Sequence, residues 1–364
     1  MGKVDTLAYD IGNNRTRHVY IGSGILDSLP GYARELNADK FFIITDSNLE
    51  NILKDKIKNL LSGVAETHIL AFPAGEASKT LSTLEDIGSK ILDLRATKSS
   101  VIVCLGGGVV GNLGGLTAAL LFRGLRFFHI PTTMVAQIDS AIGQKQAVNY
   151  KMGKNLFGQY YAPEFVFIDF DFLRTLPERQ IRAGLAESVK HGLCQESTFF
   201  DYIEEHAGDY SPKVIDYISR HTIELKLELL KIDPFEGKLD PQLELGHTIG
   251  HAVEIIKNGQ LLHGESIAIG MVAEAALSCE MGYMKPELAA KIERIFKKLG
   301  LPTRIPADVP LEGVLEALRY DNKRRTARTD FFLLEDFTRF HKENGKIGTK
   351  VSEEVLKKVL ESAY

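Results

Sequence analysis

The chain has 364 residues, 44% of them hydrophobic, and a net charge of −4. That supports about two domains with real cores and supplies no basic field to hold nucleic acid or an anionic membrane. Cys104, Cys194 and Cys279 form no Cys-x-x-Cys pair and no disulfide framework, Met1–Asp5 lacks an apolar signal region, and no run approaches the ~18 apolar residues of a membrane span. The expectation is a cytoplasmic protein.

Short apolar runs alternate with helical stretches through the first half. Phe41–Asp46, His68–Phe72, Ser100–Leu105, Phe127–Ile130 and Phe165–Ile168 read as strands. Strands alternating with helices predict a parallel sheet covered on both faces. From Leu176-Pro177 onward helical periodicity dominates, in Val214–Lys231, Ile249–Ile256, Ser266–Met281 and Pro286–Leu299. The reading is an α/β domain over 1–177 and a mainly helical one over 178–364.

Leu105-Gly-Gly-Gly-Val-Val-Gly-Asn-Leu-Gly-Gly115 follows a strand and precedes a predicted helix, Leu116–Leu121. Gly106, Gly108 and Gly111 match Gly-x-Gly-x-x-Gly. Glycines there let the backbone approach a pyrophosphate, and a helix N-terminus offers it N–H groups. No acid lies about 20 residues downstream to hold a ribose, so Asp46, ending an earlier strand, is the proposed substitute. Thr132-Thr133, Asp139-Ser140 and Gln144–Asn155 form a polar belt. It contains Lys145, Lys154 and Asn155, which suit a phosphorylated substrate. Taken alone, the belt reads as a solvated loop.

His247 and His251 are four residues apart and share one face of a helix, with His263 following closely. Imidazole is the commonest side-chain metal ligand. Two histidines and a carboxylate can hold a catalytic divalent metal with positions left open. The metalloprotease His-Glu-x-x-His pattern is absent, so the histidines suggest a metal without naming a reaction.

These pieces occur in a fixed order. Gly106-Gly-Gly-Val-Val-Gly, Pro131-Thr-Thr, Asp139-Ser-Ala-Ile-Gly-Gln-Lys145, Gly153-Lys-Asn155, Leu176-Pro, Gly184-Leu-Ala-Glu187-Ser-Val-Lys190, Gly246-His-Thr-Ile-Gly-His251 and His263-Gly-Glu265 together resemble the sugar phosphate cyclases, the superfamily of dehydroquinate synthase. The resemblance spans about Asp46 to Lys323. It implies a Rossmann-like N-terminal domain, a helical metal-binding C-terminal domain and an active site between them. It also implies NAD⁺ used catalytically and a divalent metal, zinc or cobalt. By resemblance Glu187, His247 and His263 are the metal ligands, and His251 faces the substrate phosphate instead. The cofactor site draws on Asp46, Glu76, Lys79, Gly107, Gly108, Val109, Thr132, Thr133, Asp139, Ser140 and Lys154. Asn155, Lys190, Lys226, His251 and Lys323 line the sugar phosphate. Arg123 resembles an arginine that reaches a neighbouring subunit's site, implying a homodimer.

The departures are informative. Dehydroquinate synthases typically carry Arg near Asp240, Asn at Glu244, Asp at Asn112, Gly at Gln144 and Thr at Gln146. That Arg helps bind a substrate carboxylate, and an acid in its place repels one. Lys145-Gln-Ala-Val-Asn149 and Leu243–His251 look instead like the 2-deoxy-scyllo-inosose synthases of the superfamily. These cyclise glucose 6-phosphate, which has no carboxylate, by transient oxidation at C4, phosphate elimination, re-reduction and aldol closure. Lys145 and Glu244 are the candidates for moving protons. The competing readings are dehydroquinate synthase, a cyclase of sedoheptulose 7-phosphate, a metal- and NAD-dependent polyol dehydrogenase, and a non-catalytic dinucleotide-binding regulator.

Overall fold

The computed structural model describes residues 2–11, 16–150, 153–235, 243–319 and 330–364. Contacts divide the chain into two units: one of residues 1–150, 155–176 and 227–235, the other of residues 151–154, 177–226 and 236–364. The predicted Asp240 and Lys323 positions lie outside the described residues.

The first unit is built on a seven-stranded sheet of order β1-β2-β9-β6-β5-β3-β4. Its strands are β1 (Asp5–Asp10), β2 (Thr16–Gly22), β3 (Lys40–Asp46), β4 (Glu66–Phe72), β5 (Val101–Gly106), β6 (Arg126–Pro131) and β9 (Phe165–Asp169). Only β1 and β2 pair antiparallel; the other pairs are parallel. All six residues of β5 and all five of β9 are buried, because a parallel sheet with both faces covered needs apolar side chains on both. Alternation sorts them. Phe41, Ile43, Val101 and Val103 join one core, while Phe42, Ile44, Ile102 and Cys104 join the other. After β3 the chain adds β4 on one side and then crosses to β5 on the other. The ends of β3 and β5 therefore flank a topological switch point, the place where open α/β sheets bind ligands.

The five predicted strands are all present. The antiparallel β1–β2 pair went unpredicted, as did a hairpin of β7 (Lys145–Tyr150) and β8 (Gly153–Tyr160). The second unit is mainly helical, with predicted helices at His247–Lys257, His263–Glu280 and Pro286–Lys298 and residues 212–226 of the predicted helix Pro212–Ile232. Ile249, Val253, Ile269, Leu277, Val314, Leu333 and Leu360 are among its core residues. Short strand pairs between Asp330 and Lys350 are added to that helical core. Among the described residues no helix is long and apolar enough to cross a membrane.

Candidate active site

The glycine run is helix rather than the approach to one. Helix Gly108–Leu120 begins eight residues before the predicted start, with Gly107 as its N-cap. Its first-turn N–H groups have no partner within the helix, an arrangement suited to holding an anion. The glycines have distinct tasks. A Cβ on Gly107 would meet Thr133 Cγ2 at 3.1 Å, and one on Gly108 would meet Ser140 Oγ at 3.2 Å. Four predicted cofactor residues are thus neighbours, with Val109 beside them in the first turn. Gly114 instead admits Cys104 Sγ, 2.4 Å from a built Cβ, so that glycine serves helix–sheet packing. Thr132 N–H donates to the Gly106 carbonyl (3.1 Å).

Asp139 and Ser140 sit in a π-turn, Ala136–Ser140, a form often found at functional sites. Gln137 pins it by donating to the Pro131 and Asp169 carbonyls (3.1 and 3.0 Å). Asp46 ends β3 at the switch point, where its carboxylate accepts from the N–H groups of Asn48 and Leu49 (2.9 and 3.2 Å). It caps the following helix, a role not foreseen beside the ribose role.

The described residues of the belt's last stretch, from Lys145 to Asn155, lie in the paired strands β7 and β8 rather than in a solvated loop. Gln146 is buried, and Asn112 Oδ1 accepts from Ala147 N–H (3.0 Å). Glu76, Lys79 and Asn155 come together here. Asn149 Nδ2 donates to Glu76 Oε1 (2.8 Å), Asn149 Oδ1 accepts from Asn155 N–H (3.0 Å), and Lys79 Nζ donates to Asn155 Oδ1 (2.5 Å). Lys145 opens β7, half-buried.

In the second unit three helices deliver the predicted metal ligands: Glu178–Cys194 carries Glu187, His247–Lys257 carries His247 and His251, and His263–Glu280 begins with His263. Glycines allow the approach. A Cβ on Gly264 would lie 1.8 Å from the Ala183 carbonyl oxygen, and one on Gly250 2.8 Å from that of Ser266. Gly246 turns at φ +78°, where its N–H donates to the buried Glu274 carboxylate (2.6 Å). That carboxylate caps the helix bearing His247 and His251.

Glu187 Oε1 lies 3.1 Å from His263 Nε2 and 3.5 Å from His247 Nε2. The other ring nitrogens are engaged: His247 Nδ1 donates to the Leu245 carbonyl (3.1 Å) and His263 Nδ1 to Glu254 Oε2 (3.0 Å). Both Nε2 atoms therefore converge on one carboxylate oxygen. Separations of 3.1 and 3.5 Å bracket the roughly 3.3 Å edge of a tetrahedron with ~2.0 Å metal–ligand bonds. The donor set fits a zinc- or cobalt-sized cation. His251 completes a trio whose ligand atoms lie within 4.8 Å of one another.

Charge is concentrated there. Burial alone raises Glu187, but Lys190, with Nζ 2.5 Å from Oε2, and the two imidazoles hold its carboxyl well below the usual range. Burial and the Lys190 ammonium lower His247. Burial opposes protonation of His263 too, yet Glu254 and Glu187 outweigh it and raise the ring to about 9.

A nucleotide-type turn in one unit and a His/Glu cation cluster in the other occur in a chain whose residues 69–183 match the 3-dehydroquinate synthase N-terminal family and 184–324 the matching C-terminal family. The chain belongs to the 3-dehydroquinate synthase family. It is 36% identical to the 3-dehydroquinate synthase of Acidithiobacillus ferrooxidans over 334 residues, 90% of this chain and 91% of that one. It is 37% identical to the 2-deoxy-scyllo-inosose synthase of Streptoalloteichus tenebrarius over 308 residues, 84% and 80% of the two chains. A solved 2-deoxy-scyllo-inosose synthase, complexed with carbaglucose-6-phosphate, NAD⁺ and Co²⁺, superposes with a TM-score of 0.91 at 32% identity, covering 99% of this chain and 100% of the other. The protein is thus an enzyme of the sugar phosphate cyclase family, with a Rossmann-like N-terminal domain and a helical C-terminal one.

The remaining predicted positions lie on other elements. Lys226 is buried on the Pro212–Ile232 helix. Arg123 lies past the C-terminal end of Gly108–Leu120, about 20 Å along that helix from the glycine turn. Lys154, expected at the cofactor, has its ammonium on Glu254 Oε1. Sequence reasoning missed Glu254 and Glu274. Glu254 stands three residues after His251 and seven after His247, a same-face spacing that could have flagged it.

Proposed function

We propose that the protein is a 2-deoxy-scyllo-inosose synthase. It converts glucose 6-phosphate to the carbocycle 2-deoxy-scyllo-inosose and phosphate, a carbon–oxygen lyase reaction with C–C bond formation. The observation carrying the choice of substrate is Glu244. Its carbonyl accepts from His247 N–H (3.0 Å), which puts a carboxylate-bearing residue one turn from the cation cluster. A negative side chain there disfavours a keto-acid phosphate and tolerates a neutral sugar. Bound NAD⁺ supplies transient oxidation at C4, and a Zn²⁺ or Co²⁺ ion, held by Glu187, His247 and His263, supplies Lewis acidity.

The remaining residues bind, orient and move protons. The helix N-terminus at Gly107, Gly108 and Val109, with Thr132, Thr133, Asp139 and Ser140, holds the dinucleotide; Asp46, Glu76, Lys79 and Lys154 complete that set. Asn155 and His251 hold the phosphate, while Lys190, Lys226 and Lys323 orient the sugar. Lys145 Nζ and the Glu244 carboxylate exchange protons with substrate oxygens. Arg123 serves the site of a second copy in a homodimer.

The rival is 3-dehydroquinate synthase, favoured by 36% identity over 90% of the chain. Phosphate release from glucose 6-phosphate and from the seven-carbon keto-acid phosphate, measured side by side, separates the two. Release from the sugar phosphate alone is expected. Release from the keto-acid phosphate alone refutes the proposal.

A further inference from the structure

We infer that Glu254 is a positioning residue that fixes the proton of His263 on Nδ1, and that Lys154 moderates this hold. The inference rests on the reading of Glu187, His247 and His263 as a cation site. Glu254 is 7% exposed, and its two oxygens have separate tasks. Oε2 lies 3.0 Å from His263 Nδ1, and Oε1 bears the Lys154 ammonium. A carboxylate only accepts, so Nδ1 donates to Oε2, and a cation held with Glu187 would take the place of the hydrogen that Nε2 otherwise directs at Glu187 Oε1. His247 is oriented by a neutral acceptor, the Leu245 carbonyl. For His263 the acceptor is charged. A charged acceptor makes a stronger hydrogen bond and a more basic ligand nitrogen.

Lys154 acts in the opposite sense. Its ammonium draws electron density toward Oε1 and weakens the pull of Oε2 on the ring. The pair joins residues 100 positions apart. Removing the carboxylate's charge weakens cation binding, whereas removing the ammonium strengthens it. Opposite signs from two members of one buried pair are not what a purely structural pair produces.

The test measures Co²⁺ affinity of the metal-free full-length protein, by competition with a chromophoric chelator, for wild type, Glu254→Gln and Lys154→Met. Histidine-labelled ¹⁵N spectra report which nitrogen of His263 carries the proton. Glu254→Gln should weaken Co²⁺ binding roughly 10- to 100-fold and depopulate the Nδ1–H form; Lys154→Met should bind more tightly than wild type. If Glu254→Gln does not fold, Lys154→Met decides alone, since it leaves the Glu254–His263 contact in place. Wild-type affinity in Glu254→Gln, or weaker binding in Lys154→Met, overturns the inference while leaving the cation site standing. A wild-type protein that binds no Co²⁺ overturns the cation site, and the inference with it.

Discussion

At the scale of single residues, the cluster around Glu187 depends on charges that compensate one another out of water. Losing one partner of such a pair costs about 3–5 kcal/mol, because it strands the other. Replacing Glu187 with Gln should abolish Co²⁺ binding and phosphate release while the fold persists, as checked by circular dichroism. His129 is a different case. It is 2% exposed in β6, its Nε2 has no hydrogen-bond partner among the described residues, and burial lowers its pKa to about 3. Its folded-state value lies below its unfolded value of about 6.5. Its contribution to stability is therefore complete above pH 6.5 and is lost as pH falls toward 3. Against a His129→Leu variant, wild type should lose about 1.4 kcal/mol more per pH unit below 6.5. Urea unfolding at pH 7.5 and 5.5 measures this; parallel losses in the two proteins would contradict it.

At the scale of elements, glycine decides how near helices come. Gly264→Ala drives a Cβ into the Ala183 backbone, 1.8 Å from its oxygen. It should lower stability by about 1–3 kcal/mol or more and weaken Co²⁺ binding by separating His263 from Glu187. Gly31→Ala, with nothing within 4 Å, is the control: it should leave melting temperature and Co²⁺ binding essentially unchanged. The central strands were legible because both of their faces are covered, which writes them as unbroken apolar runs such as Val101–Leu105. The β7–β8 hairpin was not legible. Its polar side chains, Gln146, Asn149 and Asn155, are satisfied by distant partners that local pattern does not reveal. The start of helix Gly108–Leu120 was hidden because glycine is a poor helix former; tertiary packing against Cys104 overrides propensity there. His247, His251 and His263 were visible as a group by spacing. Glu187, some 60 residues earlier in the chain, was reached through the family resemblance, and the Lys154–Glu254 pair was not seen at all.

At the scale of the whole molecule, the role proposed for Arg123 calls for a second copy. Arg123 lies far along its helix from the glycine turn, and Leu120 and Phe122 beside it are exposed. If each Arg123 serves the other copy's site, mixing Arg123→Ala with His247→Ala, each inactive alone, should restore activity. Random exchange makes half the dimers hybrid with one intact site each, so about a quarter of wild-type activity returns. No recovery, with hybrids verified by mass, would place Arg123 in its own subunit's site. Under the proposed function glucose 6-phosphate is cyclised and the cofactor is returned unchanged. This is tested most directly by incubating the protein with ¹³C-labelled glucose 6-phosphate, NAD⁺ and Co²⁺, following carbon by NMR and reduced nicotinamide by absorbance. Carbocycle and phosphate should form in equal amounts with no net NADH. An oxidised, still phosphorylated sugar accompanied by stoichiometric NADH would contradict it.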